Sequence, residues 1–140
     1  MSGLDEELFA EKATVIERHL AVVDERLPAG PEELQPMTDT SVIVIFHLWQ
    51  AVQAAIDLAV AACVHFRLGA PQSYGEAFKL LGEAGYLQPE LAARLSQATG
   101  FRNAVAHAYG KLDMDRVYRA AREGPADLRA FLAALAERIQ

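Results

Sequence analysis

Between Asp39 and Arg67 the chain carries only one Asp, Glu, Lys or Arg, Asp57. A stretch this long and this apolar is either a membrane span or a helix buried on most of its circumference. The polar exceptions decide between the two. Gln50, Gln53 and Asp57 stand at i, i+3 and i+7, with His47 at the edge of the same stripe. One polar stripe on an otherwise apolar helix is what a core helix of a water-soluble bundle requires, and lipid gives no reason for it. No membrane association is expected. The rest of the chain must then supply the surfaces that cover this helix.

It supplies them as further helices. No stretch alternates at period two, and turn signals cut the chain into helical blocks. The first begins near Leu4, with Ser2 and Asp5 in capping-box spacing, and ends at Pro28-Ala29-Gly30-Pro31. Residues 28–38 read as a connecting loop. The apolar helix follows, from about Asp39 to Leu68, stopped by Gly69 and Pro71. Ser73-Tyr74-Gly75-Glu76 opens a short helix that Gly82 and Gly85 end. A fourth helix starts at Pro89 and runs towards Tyr109. Asp113 caps a fifth, and Gly124-Pro125 is expected to separate a last one. The expected fold is an all-α antiparallel helical bundle, four core helices plus short extra ones, in a single domain over residues 1–140. At 140 residues such a chain buries a real core without metals or disulfides.

Charge and cysteine usage narrow the surroundings. The net charge is −6, which argues against binding nucleic acid by bulk charge. The segment 94–122 nevertheless carries six basic residues (Arg94, Arg102, Lys111, Arg116, Arg119 and Arg122) against Asp113 and Asp115. Arg116, Arg119 and Arg122 recur as a ridge, which is a solvated face or a contact for RNA or a protein partner. The lone Cys63 excludes an internal disulfide and suits a reducing compartment, and the acidic start lacks the pattern of a secretory signal; a cytoplasmic protein is expected. His19, His47 and His65 show no partner pattern.

One stretch carries chemistry. Phe101-Arg102-Asn103-Ala104-Val105-Ala106-His107-Ala108-Tyr109 gathers an arginine, an amide, an imidazole and a phenol among small residues. On an ideal helix Asn103 and His107 share a face, as do Arg102 and Tyr109, whereas Arg102 and His107 differ by about 140°. Arg102 could bend around the cylinder to flank one groove with His107, or each could complete a site with a second copy. A lone histidine does not easily act as acid and base in one turnover; a twofold dimer brings two. Read from the residues alone, Arg102 is a structural cation paired with a carboxylate such as Asp57, and His107 is a core histidine bonded to a carbonyl. Asp57, taken as buried, needs a partner, and Arg102 or His107 is a natural one. Gln50 and Gln53 read as interhelical or dimer contacts, Phe46 and Trp49 as core or dimer interface.

The spacing R-x-x-x-x-H-x-Y resembles the motif of HEPN-domain proteins of the HepT type. Three segments carry the resemblance in order: Gln50 to Leu58, similar to a Q-x-A-I-D-L helix; Pro71 to Phe78, similar to P-x-S-Y-x-E-x-F; and Phe101-Arg102-Asn103 with His107 and Tyr109. The resemblance implies a HEPN-like bundle and the toxin half of a toxin–antitoxin pair. It implies a metal-independent endoribonuclease acting at a dimer interface, with no cofactor. It also implies a cognate minimal nucleotidyltransferase that neutralises the toxin by transferring AMP to the motif tyrosine. Carried over, Arg102 and His107 are catalytic, Tyr109 is the AMP acceptor, and Asn103 and Asp57 support them. Two other readings stand beside this one: a non-catalytic HEPN dimer module that binds a nucleotide or a partner, and a purely structural dimer of helices.

Overall fold

The computed structural model describes residues 4–139. Among them five α-helices form the fold: α1 (Glu6–Arg26), α2 (Asp39–His65), α3 (Tyr74–Glu83), α4 (Pro89–Ala108) and α5 (Met114–Ala136). Four are long and α3 is short, as expected. Single-turn 3₁₀ segments lie at Pro31–Glu33 and Tyr109–Lys111.

Local chemistry sets most of the boundaries. Asp5 caps α1, its side chain accepting from the Leu8 N–H at 2.8 Å; Ser2, the other half of the expected capping box, lies outside the described residues. Thr38 and Ser41 cap α2 reciprocally. Ser73 caps α3 through the Glu76 N–H, but the Glu76 carboxylate accepts from the Gln72 N–H, one residue before the cap. Asp113 caps α5 through the Asp115 and Arg116 N–H groups.

Two helix stops differ from expectation. α2 ends at His65, three residues short of Leu68, because Arg67 takes the left-handed conformation (φ 61°). The Leu68 N–H then returns to the Cys63 carbonyl and the Arg67 N–H to that of Val64, a Schellman closure with arginine where glycine is usual. In α3 the stop is Gly85 (φ 86°), while Gly82 lies inside the helix.

The Gly124-Pro125 break does not occur. α5 runs through it as one helix of 23 residues, with Pro125 inside and buried. Val117, Ala121, Pro125, Leu128, Leu132 and Leu135 form one buried stripe along the whole helix. Splitting the helix would turn half of that stripe away from the core. A lost backbone hydrogen bond and a proline penalty of about 3 kcal/mol are the smaller cost, since each large apolar side chain buried contributes about 1.5–3 kcal/mol.

Side-chain pairs give the register. Lys12–Asp57 and His19–His47 pair α1 antiparallel to α2. Arg129 of α5 holds Glu17 and Asp24 of α1, both at 2.8 Å, and the Tyr118 hydroxyl donates to the Pro28 and Ala29 carbonyls farther down. Arg94–Asp127 links α4 to α5. α3 lies against α4 through its glycines: a Cβ on Gly82 would sit 2.6 Å from the Ala92 Cβ, and one on Gly75 would sit 2.8 Å from the Ser96 Oγ. α2 is long and apolar enough to cross a membrane, yet 56% of its apolar window is buried in the bundle. Its core side chains (Leu48, Ile56, Leu58 and others) meet Ile16 and Leu20 of α1, Phe78 and Leu81 of α3, and Leu128 and Phe131 of α5.

Candidate active site

α4 buries only its first three turns. Leu91, Ala92, Leu95 and Thr99 are in the core, and none of the residues from Gly100 to Asp113 is buried. The motif occupies this uncovered end. Arg102 continues the inward stripe, half-buried, and reaches α2; His107 points outward and is exposed.

Arg102 is held on three sides. Its Nε donates to Gln53 Oε1 at 2.8 Å, one terminal nitrogen donates to Asn103 Oδ1 at 3.1 Å, and its guanidinium carbon lies 5.0 Å from the centroid of the Tyr74 ring. Gln53 in turn donates from Nε2 to Asp57 Oδ1 at 3.1 Å, and Lys12 approaches Asp57 Oδ2 at 3.9 Å. Arginine has five N–H donors; two are used here, which leaves three for a ligand, and guanidinium N–H groups suit phosphate oxygens.

Asp57 departs from expectation. Its side chain is 50% exposed, with Lys12 as its counter-ion, and it touches neither Arg102 nor His107. It reaches the arginine through Gln53. A fully buried carboxylate would need a direct ion pair, but a solvated one does not. Nor is Arg102 a structural cation in a salt bridge: its side-chain partners among the described residues are a neutral amide on α2, the neighbouring Asn103 amide and an aromatic face.

His107 makes no hydrogen bond among the described residues, so both ring nitrogens are available to solvent. Tyr109, the first residue of the 3₁₀ turn after α4, packs its ring against the small cluster of Leu34, Ile45, Val117 and Tyr118. Its hydroxyl has no partner among the described residues, whereas that of Tyr118 is fully used in tying down the loop after α1. The four motif side chains therefore divide: Arg102 and Asn103 are tied together, and His107 and Tyr109 stand free. No group of three His, Cys, Asp or Glu side chains among the described residues is placed to hold a metal ion.

Residue types in the right helical register on an uncovered helix end narrow the chemistry, and comparison with known proteins fixes the family. The family model described as Ribonuclease HepT-like matches residues 16–135. This chain belongs to the HepT-like ribonuclease family. An mRNA nuclease HepT from Shewanella oneidensis is 30% identical over 89 residues, 64% of this chain and 67% of that protein. A tRNA nuclease HepT from Aphanizomenon flos-aquae is 35% identical over 68 residues, 49% of this chain and 46% of that protein. Among solved structures, a tri-AMPylated Shewanella oneidensis HEPN toxin in complex with MNT antitoxin superposes with a TM-score of 0.85 at 25% identity, over 96% of this chain and 99% of its own. YutE of Bacillus subtilis, a cytosolic protein, shares the fold at a TM-score of 0.82 and 14% identity, over 99% of this chain and 92% of its own.

Reading the sequence alone missed two features of this HepT-like chain. Tyr74 sits in the segment that carried the resemblance, but nothing local marks it as the floor under Arg102. His19 and His47 pair through Nδ1 atoms 2.9 Å apart, across 28 residues of sequence.

Proposed function

We propose that this chain is the toxin of a HEPN/minimal-nucleotidyltransferase pair, cutting RNA without a metal at a cleft shared by two copies, with Arg102 and His107 as catalytic residues. The observation that carries this reading is the uncovered end of α4: an arginine anchored by Gln53 and Asn103 with three N–H donors left, and an exposed imidazole with no partner among the described residues, beside an exposed apolar face.

That face belongs to α2. On an ideal helix Val42, Phe46, Trp49, Gln53, Val60 and Val64 fall within about 60° of one another. Val42, Phe46 and Val64 are 42%, 48% and 54% exposed. Gln53, in the middle of the stripe, is the residue that holds Arg102. A second copy covering this face about a twofold axis brings two motif segments to one seam. The homodimer is the working unit.

RNA brings its own nucleophile, the 2′-hydroxyl. His107 of one copy takes its proton, the oxygen attacks the adjacent phosphorus, and the bond from phosphorus to the 5′-oxygen breaks. His107 of the other copy, protonated, donates to that leaving oxygen. Such acid–base contributions are worth about 10²–10⁴-fold in rate. Arg102 meets the non-bridging oxygens as their charge grows. Asn103 holds the arginine, and Asp57 acts at one remove through Gln53. The free hydroxyl of Tyr109 is the acceptor for AMP from the cognate nucleotidyltransferase antitoxin. An added phosphate and nucleoside two residues from His107 would repel and block the substrate phosphate. The reaction belongs in the cytoplasm, where RNA and nucleotide donors are found.

Replacing His107 with Ala is expected to abolish RNA cleavage and growth arrest while leaving the dimer intact; cleavage at the wild-type rate would remove the acid–base role. Tyr109→Phe is expected to keep cleavage and to show no added AMP by mass spectrometry after incubation with the antitoxin and ATP. AMP on that variant would move the acceptor elsewhere.

A further inference from the structure

Resting on the catalytic reading of Arg102, we propose that Gln53 and Tyr74 are its positioning residues, and that Gln53 is a neutral amide because the arginine must be aimed without being neutralised.

The geometry constrains the guanidinium. Gln53 blocks its Nε edge, Asn103 takes one terminal N–H, and the Tyr74 ring lies under one face. The guanidinium is planar, so a bond at Nε, one at a terminal nitrogen and a ring beside it restrict how it can turn. Three N–H groups remain, both of those on the second terminal nitrogen among them, and these are the donors left for phosphate oxygens. Tyr74 does this from another element: Ser73 caps α3 at that point, and the glycine contacts at Gly75 and Gly82 set α3 close against α4.

The orientation of the Gln53 amide is itself set. Its Nε2 donates to the Asp57 carboxylate, so its oxygen must face the arginine. Asp57 has Lys12 as counter-ion and lies beyond the amide, so its charge is largely answered before it reaches Arg102. A carboxylate in place of Gln53 would hold Nε equally well. It would also neutralise the charge meant for the phosphate oxygens, which matters most where charge grows in the transition state.

The test is Gln53→Glu, nearly isosteric, measured by steady-state cleavage of a defined RNA beside Tyr74→Leu, Tyr74→Phe and Arg102→Ala. Gln53→Glu is expected to keep the dimer, to lower the melting temperature slightly because its second oxygen meets the Asp57 carboxylate where Nε2 stood, to lower kcat about 10- to 100-fold, and to move KM by less than about threefold; a residue that merely joins two helices would leave kcat alone. Tyr74→Leu is expected to lose about tenfold in kcat, and Tyr74→Phe, which keeps the ring face, to recover most of it. Should Gln53→Glu and Tyr74→Leu cut at the wild-type rate while Arg102→Ala is dead, this inference falls and the catalytic arginine stands. Should Arg102→Ala itself cut at the wild-type rate, the underlying reading falls first.

Discussion

Gly82 is where the α3–α4 contact can be tested by one methyl group. The Cβ of an alanine there would meet the Ala92 Cβ at 2.6 Å, about 1 Å inside the 3.5–4.0 Å optimum for two carbons. Neither atom can rotate away, because both are fixed to helix backbones, so α3 must move and with it Phe78 and Leu81, both essentially fully buried. Overpacking of this kind costs about 1–3 kcal/mol, and the rigidity of both partners puts Gly82→Ala near the top of that range. Against it stands a gain of about 1 kcal/mol from replacing glycine inside a helix. The expected net loss is about 2 kcal/mol. Ala92→Gly alone should lose a similar amount, about 1 kcal/mol of helix propensity and about 0.8 kcal/mol for the buried methyl. The double variant exchanges the two residues and should return to within about 1 kcal/mol of wild type, a coupling of about 3 kcal/mol. Gly75→Ala is the control: the atom in its way is the Ser96 hydroxyl, which can rotate, so stability should change by less than about 0.5 kcal/mol. Urea denaturation of the wild type and the four variants decides it. A Gly82→Ala variant more stable than wild type would mean that helix propensity alone is being read and that α3 does not lie on α4 as described.

Three further outcomes follow from the same structure. Phe46→Glu places a charge on the exposed α2 face; it should yield monomers by sedimentation and lose cleavage, and a fully active monomer would exclude a site shared by two copies. The Cys63 thiol, buried and donating to the Ala77 carbonyl at 3.4 Å, is pushed up to about 11 by burial and then by the charge of Glu76. It should resist a thiol reagent at pH 8 until the protein is unfolded, and the stability linked to it, complete below pH 9, should be lost between pH 9 and about 11; immediate labelling of the native protein would contradict its burial. The His19 imidazole is held below its ordinary value of 6.5 by burial and by His47 beside it. The unfolded chain therefore binds the extra proton first, so stability should fall as pH drops through and below 6.5, and His47→Asn should flatten that fall; an unchanged melting curve against pH would refute the coupling.

What the sequence made legible was local or periodic. The polar stripe of α2 separates a core helix from a membrane span, and the caps at Ser73 and Asp113 need only their own side chains and the next few N–H groups; Asp5, which reads as the second half of a box led by Ser2, is itself the cap of α1. That Arg102 and His107 lie on different faces follows from helix geometry; which of them faces inward does not, and from the residues alone His107 reads as a core histidine. The features not legible were tertiary. Pro125 reads as a break because the penalty is local, while the stripe from Val117 to Leu135 that overrules it becomes decisive only against a core. Asp57 reads as buried because its neighbours are apolar, but its side of α2 is the side the bundle leaves open. The Gln53–Arg102–Tyr74 arrangement joins three helices, and no spacing within one of them announces it.

The central claim is that the 2′-hydroxyl is the nucleophile and that imidazole and guanidinium groups replace a metal. The most direct measurement is the chemistry of the cut ends when unmodified protein cleaves RNA in excess EDTA. The expected result is undiminished cleavage that leaves a 2′,3′-cyclic phosphate, or its opened monophosphate, opposite a 5′-hydroxyl. Cleavage that stops in EDTA, or that leaves a 3′-hydroxyl opposite a 5′-phosphate, would mean that water or a metal-bound hydroxide attacks the phosphorus, and the roles given to His107 and Arg102 would be wrong.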